Sequence, residues 1–437
     1  MKRQIESKLQ RWKETDARKP LILNGARQIG KTYSLIEFGK TNFRNLIYIN
    51  FEAQPDYKRI FDRDVEPLRI LQEINMLLGT SIKAGQDLLF FDEIQECPRA
   101  LTSLKYFCET LPDLHVCAAG SLLGLELNEA AFPVGKVEML DMHPLSFHEF
   151  LLAADDKLAA LTEQSAVVPE AIHKRLWDYL KKYFILGGLP EVIASYIQHA
   201  GDEATAFENA RQVQLQLIQG YIADMAKHSG KQNAMHLERI WKNIPVQLAR
   251  KVDLTTSKYS FKGVIPKIDR YSRLVGSLDW LEKAGLVIRV PILDHIDLPL
   301  SAQVQENTFK LYIFDVGLLG ALSGLSPQTL WAQDYGSYKG YFAENFVAQE
   351  LIAHGRRPLF GWEGRTSEVE FVLDIAGKII PVEVKAGHIT RSQSMNVYQS
   401  KFAPQKGFLL SARNAPLIES TWITHLPLYQ ASKIGLS

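Results

Sequence analysis

Cysteine is scarce. Only Cys97, Cys108 and Cys117 occur, all within one short segment. They form no pair of CxxC motifs, so neither a zinc ribbon nor a disulfide framework can be built, and a reducing cytosol is the expected setting. Net charge is also nearly missing. At a formal +1, no global field draws the chain to a polyanion or a membrane, and any such contact has to be a local patch. Long apolar runs are absent: none approaches the ~20 residues needed to span a bilayer. The opening stretch MKRQIESKLQRWKE carries charges where a signal peptide would carry an apolar core, so no membrane partner is expected. Repeats and low-complexity tracts are missing too. The histidines show no metal-ligand spacing, and His143 and His148 read as structural. What remains is an ordinary globular composition, 46% hydrophobic and 23% charged over 437 residues. That suffices for two or three domains.

Short apolar runs then alternate with helical stretches. LILNG (21–25), NLIYINFE (45–52), DLLFFDE (87–93), HVCAAGS (115–121) and VEMLDM (137–142) read as strands. KTYSLIEFG, LRILQEINMLLG and ALTSLKYFCETL read as the helices between them. Ahead of them, Ile5, Leu9 and Trp12 share one face of a short helix. This alternation predicts a mostly parallel sheet covered on both faces. From about 147 to 250 the pattern is helical, broken at LGGLPE (186–191), which reads as a helix stop and a turn. RLVGSLDWLEKAGLVIRVPIL predicts a helix, a turn and a strand. After about 340 the texture is mixed again, with a helix over YFAENFVAQELIAHG, strands over EVEFVLDI and IIPVEVKA, then a helix and KGFLLSA.

Gly25-Ala26-Arg27-Gln28-Ile29-Gly30-Lys31-Thr32 has the spacing G-x-x-x-x-G-K-T, the phosphate-binding P-loop. The glycines let the backbone wrap closely, so that successive N–H groups face phosphate oxygens. The helix starting near Lys31 adds its positive end. Lys31 offers a charge to the β- and γ-phosphates, and Thr32 a hydroxyl to Mg²⁺. LLFFDEIQE then sets Asp92 and Glu93 at the end of an apolar strand. Asp92 is placed to hold Mg²⁺, and Glu93 to polarise an attacking water. The plainer alternative is that both simply cap the next turn. Ser121, at the end of the following strand, is a candidate γ-phosphate sensor. Arg27, Arg99 and Lys136 are the in-chain candidates for a basic group completing the site. A neighbour in an oligomer is the other source of that group.

KPLILNGARQIGKT, LIYINFE, LLFFDEIQECP, AAGSLLG and HPLSFHEFL are followed by LGGLPEVI, WLEKAGLV, FKLYIFDVGLL and GYFAENFVAQEL. Together they resemble the bacterial and archaeal AAA-type ATPases that carry a C-terminal nuclease-like domain of unknown function. The resemblance implies an α/β P-loop NTPase domain with a parallel sheet (1–150), a helical segment (151–230) and a winged-helix-like segment (231–325). It also implies a C-terminal α/β domain similar to the PD-(D/E)xK restriction nucleases (326–437). ATP as the nucleotide comes from this resemblance. Many relatives have Gly-Arg where this chain has Gly135-Lys136, and a lysine lacks the planar fork that grips phosphate bidentately.

In the C-terminal segment, strand alternation puts Glu383 and Lys385 on one face. Glu370 lies on the preceding strand of a predicted hairpin, and Glu344 on the helix before it. Such acids can hold a second Mg²⁺, and Lys385 can steady a phosphate. Glu370 stands where an aspartate is more usual. Arg250, Lys251, Lys258, Lys262, Lys267, Arg270 and Arg273, interleaved with Tyr259, Phe261 and Tyr271, form a basic stretch. It reads as a helix face of a winged-helix segment contacting a DNA backbone, or as a solvated helix face and a domain–domain contact. The function expected is a Mg²⁺-dependent ATPase coupled to a nuclease-like module. Its rivals are an ATP-regulated DNA endonuclease and a nucleotide-switched binding module without significant turnover.

Overall fold

Two units emerge in the computed structural model: residues 2–143 with 283–285, and the rest of the chain from Pro144 onward with Met1. The structure describes residues 1–120, 132–164, 167–199, 201–250, 258–268, 270–332, 340–365, 367–388, 392–414 and 422–435.

The first unit opens with α1 (Ile5–Glu14), which buries Ile5, Leu9 and Trp12. It continues with β1 (Leu21–Asn24), α2 (Lys31–Asn42), β2 (Leu46–Asn50), α3 (Pro67–Leu78), β3 (Leu88–Asp92), α4 (Pro98–Thr110), β4 (His115–Ala119) and β5 (Glu138–Asp141). The sheet runs β2-β3-β4-β1-β5, and every pair is parallel. Leu88 to Phe91 and Val116 to Ala119 are all buried. That is why these strands read as unbroken apolar runs instead of alternating ones. Phe51, Phe61 and Phe91 pack ring against ring, 5.6–5.7 Å apart. Each such ring contributes roughly 1.5–3 kcal/mol by burial. Because all five strands point the same way, the ends of β1, β3 and β4 meet at one edge of the sheet.

The second unit holds the helices α5 (Phe147–Ala154), α6 (Asp156–Gln164), α7 (Glu170–Leu186), α8 (Pro190–Gln198), α9 (Glu203–Ser229), α10 (Lys231–Ala249) and α11 (Tyr271–Lys283). Then come β6 (Val287–Leu293), β7 (Val304–Ile313), α12 (Val316–Leu322), α13 (Pro327–Trp331) and α14 (Gly340–Ala353). The chain finishes with β8 (Phe360–Glu363), β9 (Glu368–Ile375), β10 (Lys378–Val384), α15 (Gln393–Phe402), β11 (Gly407–Ser411) and β12 (Ile423–Pro427). Its sheet runs β12-β11-β10-β9-β8-β6-β7. β8, β9 and β10 are antiparallel neighbours, whereas β11 and β12 continue parallel to β10.

In this topology the expected segments 231–325 and 326–437 are joined by strand pairing. The β6–β7 hairpin does not form a free-standing wing. β6 pairs with β8, so the middle and C-terminal segments share one sheet and one unit. An unpaired β6 edge would leave a row of open backbone groups, and β8 covers it. Just before residue 150 the chain is already bonded within the second unit. Leu145 N–H donates to Gly188 O at 2.7 Å, and Phe147 N–H donates to Glu350 Oε1 at 2.8 Å.

LGGLPE does end α7 and precede α8, as predicted. Its second glycine answers to packing, because a Cβ on Gly188 would lie 2.2 Å from Leu145 O. Gly188 N–H donates to Asp315 Oδ2 at 2.6 Å. Helix α14 is buried from Tyr341 to Ile352, and its polar side chains serve backbone groups of other elements. Asn345 bonds both Ile313 N–H and O, each at 2.8 Å. Gln349 accepts from Val316 N–H and donates to Tyr183 Oη. Burial lifts the Asp315 carboxyl to about 6 and that of Glu350 to about 7. In both cases, hydrogen bonds from backbone N–H groups pull back against burial.

Candidate nucleotide site

Asn24 ends β1 and donates from Nδ2 to Asp141 Oδ1 at 2.9 Å, locking β1 to β5. The loop then leaves the sheet at Gly25, with φ +145°. A Cβ there would lie 2.3 Å from Met142 O, so only glycine fits. Ala26 and Ile29 are buried, and Gln28 takes a left-handed φ of 63°. Helix α2 begins at Lys31 straight after Gly30. The first amides of a helix lack internal partners, and they carry its positive end.

Lys31 is buried, and its ammonium donates to Gly25 O at 2.9 Å and Ala26 O at 2.7 Å. Burial pushes it down to about 8, and the nearby Arg27 charge adds to that fall. Glu93 and Asp92 pull the other way. Thr32 Oγ1 lies 3.1 Å from both carboxylate oxygens of Asp92. Asp92 is 2% exposed. Its Oδ2 also accepts from Tyr48 Oη at 2.9 Å and Asn50 Nδ2 at 3.1 Å. Glu93 follows in left-handed backbone, φ 48° and ψ 48°. This conformation is uncommon for a side-chain-bearing residue, and such strain clusters at working sites. The Gln95 amide donates to Glu93 Oε2. Gly120, at the end of β4, packs so closely that a Cβ would meet Gln95 Oε1 at 2.6 Å. The candidate sensor Ser121 lies outside the described residues. The Thr32 hydroxyl and the Asp92 carboxylate are hard oxygen donors of the kind Mg²⁺ takes.

Sequence reasoning did not find Tyr48 and Asn50, although strand alternation in LIYINFE does put them on one face. It also did not find Arg3. This buried side chain donates from Nη1 to Ile29 O at 2.9 Å and from Nη2 to His143 O at 2.6 Å. Arg3 thereby joins the P-loop to the segment that leaves β5, across 140 residues of chain. No local pattern signals such a contact. Of the basic candidates, Lys136 pairs with Glu109 at 2.9 Å, Arg99 is exposed, and Arg27 is near enough to bias Lys31.

In the second unit, the predicted β9–β10 hairpin forms, with Phe371 opposite Val382. That register sets Glu370 across from Glu383. Among the described residues, however, no group of three or more His, Cys, Asp or Glu side chains is arranged to hold a metal. Each acid is engaged by protein groups. Glu344 Oε2 accepts from Tyr312 Oη at 2.9 Å and lies 3.6 Å from Lys310 Nζ. Glu370 Oε2 accepts from Val384 N–H at 3.0 Å. Glu383 is fully buried and pairs with Lys385. Burial raises its carboxyl, against the pull of Lys385. The basic stretch differs from expectation as well. Residues 258–268 are not helical, and Tyr259 and Phe261 are core residues packed on Phe309, so they offer no stacking face. Arg250, Lys258, Lys262, Lys267, Arg270 and Arg273 are exposed. Lys258 pairs with Glu363 at 2.6 Å. Lys251 lies outside the described residues.

Strand order, P-loop, buried Asp92 and adjoining Glu93 define a P-loop nucleotide-binding domain. Residues 17–151 match the family described as AAA domain, so the first unit is an AAA-type P-loop domain. Two domains of unknown function match further on, DUF8612 over residues 178–329 and DUF4143 over 339–429. A search of curated proteins returned no matching relative. Among solved structures, the chain is similar to the Walker-type ATPase PABY2304 of Pyrococcus abyssi. The identity is 17% and the TM-score 0.44, covering 74% of this chain and 95% of that one. It is also similar to the Aeropyrum pernix ORC1 protein in complex with DNA. There the identity is 13% and the TM-score 0.26, covering 74% of this chain and 93% of that one. Among the described residues, no helix is long and apolar enough to cross a membrane.

Proposed function

We propose that the protein is a Mg²⁺-dependent ATPase of the AAA type. The observation that carries this reading is the meeting of Thr32 Oγ1 with Asp92 at 3.1 Å, directly beside Glu93. Lys31 would exchange the carbonyls of Gly25 and Ala26 for the β- and γ-phosphates. Thr32 and Asp92 would hold the metal, which would neutralise phosphate charge. Glu93, steadied by Gln95, would orient a water and accept its proton. ATPase assays of the wild type, Lys31→Ala and Glu93→Gln test the reading. Lys31→Ala should lose nucleotide affinity. Glu93→Gln should keep affinity and lose about 10²–10⁴-fold in kcat. Equal rates in all three proteins would overturn it.

For the C-terminal part, the order α14, β8–β9–β10 antiparallel, α15, then β11 parallel to β10 supports a nuclease-like fold. The exposed basic residues around 258–273 support contact with a DNA backbone. Neutralising Lys258, Lys262, Arg270 and Arg273 should flatten the salt dependence of DNA binding by about 0.9 for each phosphate that is no longer neutralised. An unchanged slope would remove the patch from this role.

A further inference from the structure

Four carboxylates lie on α14, β9 and β10: Glu344 and Glu368 both reach Lys310, and the hairpin register sets Glu370 across from Glu383. Two ammonium groups meet them, Lys385 and Lys310. Lys310 is the unusual one. It lies within β7, opposite Val290 of β6, and is only 1% exposed. Its Nζ pairs with Glu368 Oε1 and stands 3.6 Å from Glu344 Oε2. One buried ammonium is thus shared between two carboxylates.

A divalent ion and this ammonium would compete for the same oxygens. A metal needs carboxylate oxygens at roughly 2.0–2.6 Å with open lone pairs. Glu344 already accepts from Tyr312 and faces Lys310, and Glu370 accepts from Val384 N–H. The ammonium is tethered by the chain, so its local concentration never falls. The β6–β7 ladder also keeps it from swinging to solvent. Removing it would leave several buried negative charges without their partner, which is costly. Resting on the nuclease-like reading above, we propose that the Lys310 ammonium fills the cation position of the C-terminal acid set. The domain is then a metal-free scaffold that does not cleave nucleic acid. Its acids are partnered by an internal cation instead of a bound metal.

The test uses the full chain carrying Lys31→Ala, without nucleotide, so that the P-loop does not contribute. Mn²⁺ alone is titrated and the free ion counted by electron paramagnetic resonance, with Mn²⁺-dependent plasmid nicking as a second readout. With Lys310 in place, no Mn²⁺ should be held at the acids and no nicking seen. Adding Lys310→Met should raise Mn²⁺ affinity at least about tenfold, and Glu344→Gln on top should abolish the gain. Mn²⁺ held while Lys310 is present, and released on Glu344→Gln, overturns the inference and leaves the nuclease-like reading standing. A folded Lys310→Met protein that gains no Mn²⁺ affinity overturns both. If Lys310→Met does not fold, Lys310→Met with Glu368→Gln removes one charge of each sign and carries the same comparison.

Discussion

Lys31 shows how one residue's environment sets a measurable property. Its ammonium is buried and held down to about 8, so near that pH half of the free protein carries a neutral amine there. Triphosphate binding favours the charged form and raises this value. Affinity for MgATP should therefore be highest below about 8 and fall as the pH rises past it, by up to ~1.4 kcal/mol per unit. Calorimetry at pH 8 in buffers of different ionisation enthalpy should register proton uptake on binding. A zero uptake would show that Lys31 is already fully charged. Arg3 offers a second residue-level test. It positions the loop through Ile29 O, and a lysine supplies charge without the two-pronged reach of a guanidinium. Arg3→Ala should raise KM for ATP several-fold with a smaller effect on kcat, and Arg3→Lys should recover only part. An unchanged KM would make Arg3 a packing residue alone.

The elements of the first unit were largely legible, and for a physical reason. Strands buried on both faces must be apolar throughout, so LILN, LLFFD and HVCAA announce themselves, and the P-loop needs residue types that few other turns need. Asp92 and Glu93 were legible because a carboxyl pair at the end of such a run has nowhere to go but the sheet edge. Tyr48, Asn50 and Arg3 were not, because these partners lie 26 to 140 residues away. In the second unit, LGGLPE, FDVGLL and AENFVAQEL were visible as motifs, but their meaning was not. They meet as one buried polar lattice around α14, with Asp315, Asn345, Gln349 and Glu350 satisfying backbone groups from four other segments. Tyr259 and Phe261 of the basic stretch are core residues, because β7 brings Phe309 beneath them. Element-scale electrostatics follows from the same lattice. Glu350, lifted by burial to about 7 from an ordinary 4.5, holds a proton in the folded chain that the unfolded chain releases. Its contribution is therefore present below about pH 4.5 and lost as the pH rises through 7, amounting to ~3 kcal/mol. Glu350→Gln keeps the acceptor for Phe147 N–H. The variant's thermal midpoint should fall less than the wild type's between pH 5 and 7.5. Parallel curves would show that Glu350 is ionised in the fold.

At the scale of the whole molecule, the candidate nucleotide site lies at one sheet edge in the first unit, and buried acids with their own lysine lie in the second. The segment leaving β5 belongs to both descriptions. Met142 N–H donates to Asn24 O beside the P-loop, His143 O accepts from Arg3, and two residues later Leu145 and Phe147 are bonded into the second unit. All of this turns on whether the Gly25–Thr32 loop, with Asp92 and Glu93, binds and hydrolyses ATP. Phosphate release from ATP with Mg²⁺ by the wild type beside Glu93→Gln, with ATP binding followed in parallel, decides it. Both proteins should bind ATP and the wild type should turn it over, with release reduced by about two orders of magnitude or more in the variant. Equal release from both, or no ATP bound by the wild type, would contradict this.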